Sequence, residues 1–337
     1  MTRVGLMGFG RIGRNVFRLL TADDSVEVAA IADVADPEAL TYLLKYDSIY
    51  GRFPKPVELD GSNLVLDGTP IPFLNAAEPG DADWSEHGVD IVIQATGKYR
   101  TREWCEKHLA AGAKRVILAS TPEVPGDVPI LLRGINDEIL TPDLSVVSLG
   151  SNTSNALAPI LRIFDQTWGL DRAYFTTVHA FTNQARLADV PTSSFRSSRA
   201  AGENIIPSST NSPEILTHVM PELEGKLSAM ALNVPVPDGS TVDLVAFVRT
   251  ATTAAEVNET VRKEIAASYE GIIEFVDDPI VSSDVIGSSQ SGNFDSLATM
   301  VVDGTMIKSI VWFDNGWGYS VRLVEVLNKM TEQLEAV

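Results

Sequence analysis

Arg3-Val4-Gly5-Leu6-Met7-Gly8-Phe9-Gly10-Arg11-Ile12-Gly13-Arg14-Asn15 opens as an apolar strand that turns on three glycines. They stand in the order G-x-G-x-x-G, and Val16, Phe17, Leu19 and Leu20 continue as one face of an amphipathic helix. In this setting Gly8 permits a tight turn, Gly10 lets backbone approach a pyrophosphate, and Gly13 lets helix pack on strand. The helix N-terminus adds free N–H groups and the positive end of a dipole. A second apolar run, Val26 to Ala32, ends in Asp33. An acid there binds both ribose hydroxyls and repels a 2′-phosphate, so the expected cofactor is NAD rather than NADP.

The chain has 337 residues, 45% of them apolar, enough for two domains each with its own core. No apolar run approaches the roughly 20 residues of a membrane span. The N-terminus enters a strand directly, without a leader pattern, and a single cysteine excludes an internal disulfide framework, so a cytoplasmic setting is expected. The four histidines have no metal-ligand spacing, and no metal is expected. Cys105 and His108 are expected to be buried on a helix. The net charge of −19 speaks against nucleic acid and anionic membranes as partners, and points to a small-molecule substrate.

The first half alternates strands and helices with largely apolar strands, as in a doubly wound parallel sheet. Asp60-Gly61 and Asp67-Gly68 break the alternation of Val57 to Phe73 into hairpins. The second half has longer alternating strands, two of them joined across Asp303-Gly304, with helices expected at Ala156–Phe164, Pro213–Met220 and Ala254–Ser268. Residues 180–207 form a long polar segment without a period, of the kind that is usually functional or interfacial. Gly287 to Asn293 reads as a surface loop, and Tyr319 to Leu334 as a closing helix. The expected architecture is α/β: a doubly wound Rossmann domain at 1–150 and an α+β domain at 151–315 with a mostly antiparallel sheet.

Many segments in order, among them GFGRIGRN, LKYDSIYGRF (44–53), ATGKYRT (95–101), SNALAP (154–159), TTVHAFTN (176–183), AAGENIIPSST (200–210) and WFDNGWGYS (312–320), resemble the glyceraldehyde-3-phosphate dehydrogenase family over nearly the whole chain. The resemblance implies a two-domain NAD enzyme, usually a homotetramer, whose long loop runs along a subunit interface. It makes the second domain, 151–315, the catalytic domain, and has a C-terminal helix at 316–337 complete the first. It implies that Gly8, Gly10, Arg11, Ile12, Gly13, Asp33, Thr96, Gly97 and Ser120 line NAD, and that Asn315 holds the nicotinamide carboxamide. Two nearby departures, Gly316 for a glutamate and Val321 for an asparagine, put the orientation of the nicotinamide ring in question. The family's base matches His179.

The family's cysteine nucleophile falls on Asn152, within Ser151-Asn152-Thr153-Ser154-Asn155-Ala156. An amide has no thiolate, so covalent catalysis is expected to be absent there. Ser151 and Ser154 stand beside it, and a serine would attack a carbonyl if His179 were within reach. Two phosphate-binding arginines are replaced by Asn233 and Ser197. Losing two charge-assisted contacts of roughly 1.5–3 kcal/mol each weakens a bis-anionic ligand on the order of a hundredfold or more. Arg186, Arg196 and Arg199 are the loop cations that can compensate. The expectation is an NAD-dependent oxidoreductase transferring hydride non-covalently. His179 is its acid–base, Asn152 orients the substrate oxygen, and Ser151, Thr153, Thr182, Thr210, Asn211 and Asn233 line a neutral pocket. The alternative is an NAD-binding scaffold without catalysis.

Overall fold

The computed structural model describes residues 1–22, 25–182 and 185–335. Asn183, the last residue of the 176–183 motif, and the end of the expected C-terminal helix after residue 335 lie outside them. The chain divides into two compact units. The first comprises Met1–Leu131, Asn136–Gly150 and the segment from Ser320 onward; the second comprises Leu132–Ile135 and Ser151–Tyr319.

In the first unit, β1 (Thr2–Met7) leads through α1 (Arg11–Leu20) to β2 (Val26–Asp33) and α2 (Pro37–Lys45). A small pair, β3 (Tyr46–Asp47) and β4 (Gly51–Arg52), precedes the meander β5 (Val57–Asp60), β6 (Asn63–Leu66) and β7 (Thr69–Asn75). Asp67 and Gly68 both take positive φ, 50° and 82°, as the tight hairpin turn between β6 and β7 requires. After β8 (Ile91–Gln94) come α3 (Arg102–Ala110), β9 (Arg115–Leu118) and β10 (Val146–Ser148). The sheet order is β10-β9-β8-β1-β2-β7-β6-β5. Its pairs from β10 across to β7 are parallel. The chain therefore runs from β1 to β2 on one side and later returns to β8 on the other. That change of direction is the switch point at which such sheets bind ligands, beyond the strands' carboxyl ends.

The second unit begins with α4 (Asn152–Trp168), β11 (Leu170–Ala180) and β12 (Ile206–Ser208). It continues through α5 (Ser212–Val219), β13 (Leu227–Val234), β14 (Ser240–Val248) and α6 (Ala254–Ser268) to β15 (Ile273–Val276), β16 (Gly292–Val302) and β17 (Met306–Phe313). Its sheet order is β12-β13-β11-β14-β17-β16-β15. Four of its pairs are antiparallel; β11 with β13 and β15 with β16 are parallel. The last helix, α7, spans Trp317–Glu335.

Two expectations need correction. Helix α4 starts at Asn152, four residues before the Ala156 expected, because Ser151 caps it: its hydroxyl accepts the Ser154 N–H at 3.2 Å. The stretch Gly287 to Asn293 is a surface loop only in its first part, where Gly287 and Ser289 are exposed. Ser291 and Asn293 are buried, Gly292 starts β16, and a side chain at Gly318 would lie 2.2 Å from the Gln290 carbonyl oxygen. Among the described residues, no helix is long and apolar enough to cross a membrane, and no three His, Cys, Asp or Glu side chains are placed to hold a metal.

Cys105 and His108 are both fully buried on α3. Burial pushes the Cys105 thiol up to about 12 and the His108 imidazole down to about 4. The indole N–H of Trp84 donates to His108 Nδ1 at 3.0 Å, so the neutral ring carries its proton on Nε2. A histidine whose folded pKa lies below its unfolded value contributes full stability above about 6.5 and loses it as the pH falls toward 4. The first unit is expected to lose on the order of 3 kcal/mol over that window. Thermal melting from pH 7 to 4 should show the decline, and His108→Gln should flatten it.

Candidate active site

The glycine turn is held open by backbone, not by side chains. Gly8 takes φ +94°, its N–H donates to Ala32 O at 2.8 Å, and a Cβ there would meet the Thr96 nitrogen at 2.8 Å. A Cβ on Gly13 would lie 2.1 Å from the Gly8 carbonyl oxygen. A Cβ on Gly10 would meet nothing within 4 Å: this glycine faces open space. Asp33 braces the turn, Oδ2 accepting the Phe9 N–H at 2.7 Å and Oδ1 the Ala35 N–H at 2.9 Å. Each carboxylate oxygen retains a further acceptor position for a ribose hydroxyl.

A cleft of about 190 Å³ opens at this point, lined by Gly8, Gly10, Asp33 and Thr96 among the expected residues. Arg11, Ile12 and Gly13 form the first turn of α1, whose N-cap is Gly10 with no capping side chain and no acid in that turn. These are the N–H groups a helix leaves without an internal acceptor, so turn, dipole and carboxylate together fit a dinucleotide. Gly97 lies between two lining residues, Thr96 and Lys98, and takes φ +69°. Ser120 does not line the cleft; its hydroxyl is buried without a hydrogen-bond partner among the described residues. Sequence reading missed Lys98 and Tyr99, which line the cleft just past the Thr96-Gly97 stop of β8.

In the second unit, strand register builds the site. His179 pairs with Asn233 and Thr177 with Ala231 across parallel strands, and Ser208 pairs with Ala231 on the other side of β13. Directly paired residues share a face, so these side chains form one wall. The N-terminus of α4 supplies another through Ser151 and Thr153. The resulting cavity, about 450 Å³, takes His179, Ser151, Thr153, Thr182, Thr210, Asn211 and Asn233, all expected. Thr177, Ser208, Ser209 and Ser212 also line it and were missed, although Thr177 lies two residues before His179 and is on its face by period two. None of the lining residues is an acid or a cation.

His179 Nδ1 lies 2.6 Å from Ala180 O. That contact is a hydrogen bond with Nδ1 protonated, which puts the lone pair of the neutral ring on Nε2. Asn315 adjoins the same nitrogen, its Nδ2 at 3.2 Å, while its Oδ1 accepts from Ser240 Oγ at 2.8 Å. Its side chain is thus engaged within the second unit; the nicotinamide role implied by resemblance is a different use of the same amide. Asn152 is placed differently from expectation. It does not line the cavity, and one N–H of its amide is donated to the Asn315 carbonyl oxygen, which leaves one N–H for a substrate. Ser151 Oγ lies 2.8 Å from Ser154 Oγ, so the two hydroxyls engage each other.

The loop cations are closer than the neutral lining suggests. An adjoining cavity of about 170 Å³ shares Thr182, Ser208 and Asn233 with the first and includes Arg186 and Arg199. Arg199 Nε donates to Asp189 at 3.0 Å. Arg196 does not line this cavity.

Comparison with known proteins follows the same division. The family model described as glyceraldehyde 3-phosphate dehydrogenase, NAD binding domain, matches residues 2–102, and that of the C-terminal domain matches residues 151–315. Glyceraldehyde-3-phosphate dehydrogenase of Geobacillus stearothermophilus is 42% identical over 325 residues, covering 96% of both chains. Glyceraldehyde-3-phosphate dehydrogenase 1 of Bacillus subtilis is 41% identical over 324 residues, again 96% of both. The enzyme of that name from Streptomyces coelicolor is 42% identical over 335 residues, 98% of this chain and 99% of its own. With an NAD binding domain at its start and this likeness along its length, the chain belongs to the glyceraldehyde-3-phosphate dehydrogenase family of NAD-dependent oxidoreductases.

Proposed function

We propose that the chain moves hydride between NAD and a small carbonyl or alcohol without forming a covalent adduct on the protein. The observation that carries this reading is the residue at the head of α4. Asn152, an amide, stands where the family resemblance calls for a thiol. The chain's one cysteine lies buried on α3 of the first unit.

Bound NAD supplies the two-electron acceptor or donor. The chain's own groups handle the proton and the charge. With Nδ1–H on Ala180 O, His179 takes the substrate hydroxyl proton at Nε2 in oxidation and returns it there in reduction. Charge developing on the substrate oxygen meets the backbone N–H groups at the α4 N-terminus; the second N–H of Asn152, which lies outside the cavity lining, orients a substrate that reaches past Ser151 and Thr153. Hydroxyls and amides from Ser151, Thr153, Thr182, Thr210, Asn211 and Asn233 hold the remaining substrate oxygens in a neutral chamber. Exposed Leu187, Phe195 and Ile205 on the long loop support the homotetramer that the resemblance implies. A cytoplasmic setting belongs to the same reading.

The second reading is oxidation of glyceraldehyde 3-phosphate, the activity in the relatives' names, and their 41–42% identity favours it. Against it stand Asn152, Asn233 and Ser197, which replace one nucleophile and two cations in that resemblance. Cofactor absorbance with a panel of aldehydes, alcohols and ketones, glyceraldehyde 3-phosphate included, decides between them. Turnover of unphosphorylated substrates with no mass adduct on the protein supports the first reading; efficient turnover of the triose phosphate supports the second. NAD binding with no turnover of any panel member supports the scaffold alternative.

His179→Ala is expected to lower kcat by about a hundredfold or more, with NADH affinity unchanged by fluorescence titration. Asn152→Cys should bring in acyl-enzyme chemistry, the thiol adding to the aldehyde and the hydride leaving to NAD, seen as a mass adduct after incubation with glyceraldehyde 3-phosphate and NAD. The cofactor cradle makes a separate prediction. Gly10→Ala should weaken NADH binding at least tenfold with an unchanged melting temperature, because its Cβ enters open space. Gly13→Ala should lower the melting temperature as well, by overpacking worth about 1–3 kcal/mol against Gly8 O.

A further inference from the structure

Asn315 touches both groups to which the proposed chemistry is assigned, and two buried acids grip the turn that carries it. We propose that Asp238 and Asp314 act as a carboxylate clamp that positions Asn315, and through it His179 and Asn152. The inference rests on the acid–base and orienting roles given to those two residues above.

Asp238 and Asp314 are 1% and 2% exposed. Asp238 Oδ1 accepts the backbone N–H of Asn315 at 2.9 Å and that of Gly239 at 2.7 Å. Asp314 Oδ1 accepts the N–H groups of Gly316, at 2.6 Å, and Trp317, and its Oδ2 accepts Gly287 N–H at 2.8 Å. Three consecutive N–H groups, 315 to 317, therefore end on two carboxylates at the start of α7. The turn is also shut in from outside, since Gly318 has no room for a side chain beside the Gln290 carbonyl.

Three of the four polar atoms of Asn315 are then hydrogen-bonded in one geometry, and the fourth, Nδ2, packs against the His179 ring. Its N–H goes to Asp238, its carbonyl accepts from Asn152 Nδ2, its Oδ1 accepts from Ser240, and its Nδ2 stands 3.2 Å from His179 Nδ1. Ser240 Oγ in turn accepts the Ala180 N–H at 2.9 Å, the residue whose carbonyl holds His179 Nδ1. Both arms of this network meet at one ring nitrogen, His179 Nδ1.

The arrangement has a cost that capping a helix does not require. One acid at the start of α7 serves as a cap. Here a second carboxylate is buried near it, and Asp314 is held above the usual carboxylate range by its burial and by the charge of Asp238. What the second acid adds is the hydrogen bond to Asn315 N–H, the group next to the carbonyl that receives Asn152. Asp238 and Asp314 touch no reacting atom in this scheme; they are positioning residues.

The test reads the histidine ring nitrogens by 15N NMR on the full-length protein, with the His179 signals identified by their loss in His179→Gln. The wild type is expected to show His179 protonated on Nδ1. In Asp238→Ala the His179 ring signals should move toward a mixture of tautomers. The His108 signals should stay in place, and NADH affinity should remain within twofold of wild type. Asp238→Asn, which keeps an oxygen for the Asn315 N–H, should restore the wild-type pattern. Asp314→Ser, which can still cap the helix, provides a second variant should Asp238→Ala not fold, and should shift His179 in the same direction. A folded Asp238→Ala or Asp314→Ser whose His179 signals superimpose on wild type overturns the clamp. Where NADH-linked turnover is present, kcat in Asp238→Ala should fall about tenfold with KM within twofold. Absence of turnover in the wild type would overturn the acid–base reading, while the ring signals still decide the clamp.

Discussion

Parallel pairing sets the carboxyl ends of neighbouring strands side by side, and each unit places its functional groups on that constraint. In the first unit, β1 lies between β2 and β8, all three parallel, so Met7, Asp33 and the Ala95-Thr96 stop arrive together around the glycine turn. In the second, the one parallel neighbour of β11 is β13, which brings Asn233 level with His179. An antiparallel partner would run β13 the other way and set a different residue beside the imidazole. The mixed character of the second sheet is therefore what assembles the wall of the cavity.

Legibility in the sequence followed the physics of each segment. The glycine turn was readable because Gly8 and Gly13 have steric reasons that no other residue satisfies, while Gly10 keeps the approach to the turn open. The Asp67-Gly68 and Asp303-Gly304 turns were readable because few pairs tolerate consecutive positive φ. The start of α4 was not. Thr153, Ser154 and Asn155 are polar and look like loop, yet all three are buried, because the Ser151 cap and the interior of the unit overrule local propensity. Strand β15 is four residues long and carries too little pattern to register. The cavity residues were found through family resemblance; Thr177 followed from strand alternation and was overlooked. Asn152's bond to the Asn315 carbonyl joins residues 163 positions apart, and no local pattern encodes it.

The charge distribution carries a similar lesson. A chain of net charge −19 lines the cavity beside His179 with hydroxyls and amides, and keeps Arg186 and Arg199 one cavity away. Composition gave the overall sign. It gave no sign of this local arrangement, which depends on how residues 185–201 fold back so that Ala201 N–H meets Arg186 O at 2.8 Å. The cation that matters to a ligand is set by such loop closure, and loop closure is where periodicity has least to say.

The buried thiol on α3 has a consequence of its own. A sulfur with no solvent access and a strongly disfavoured thiolate reacts neither with alkylators nor with peroxide, and it is the only sulfhydryl the chain has. The folded protein accordingly offers oxidants no thiol, and its exposed oxidisable sulfur is the thioether of methionines such as Met300.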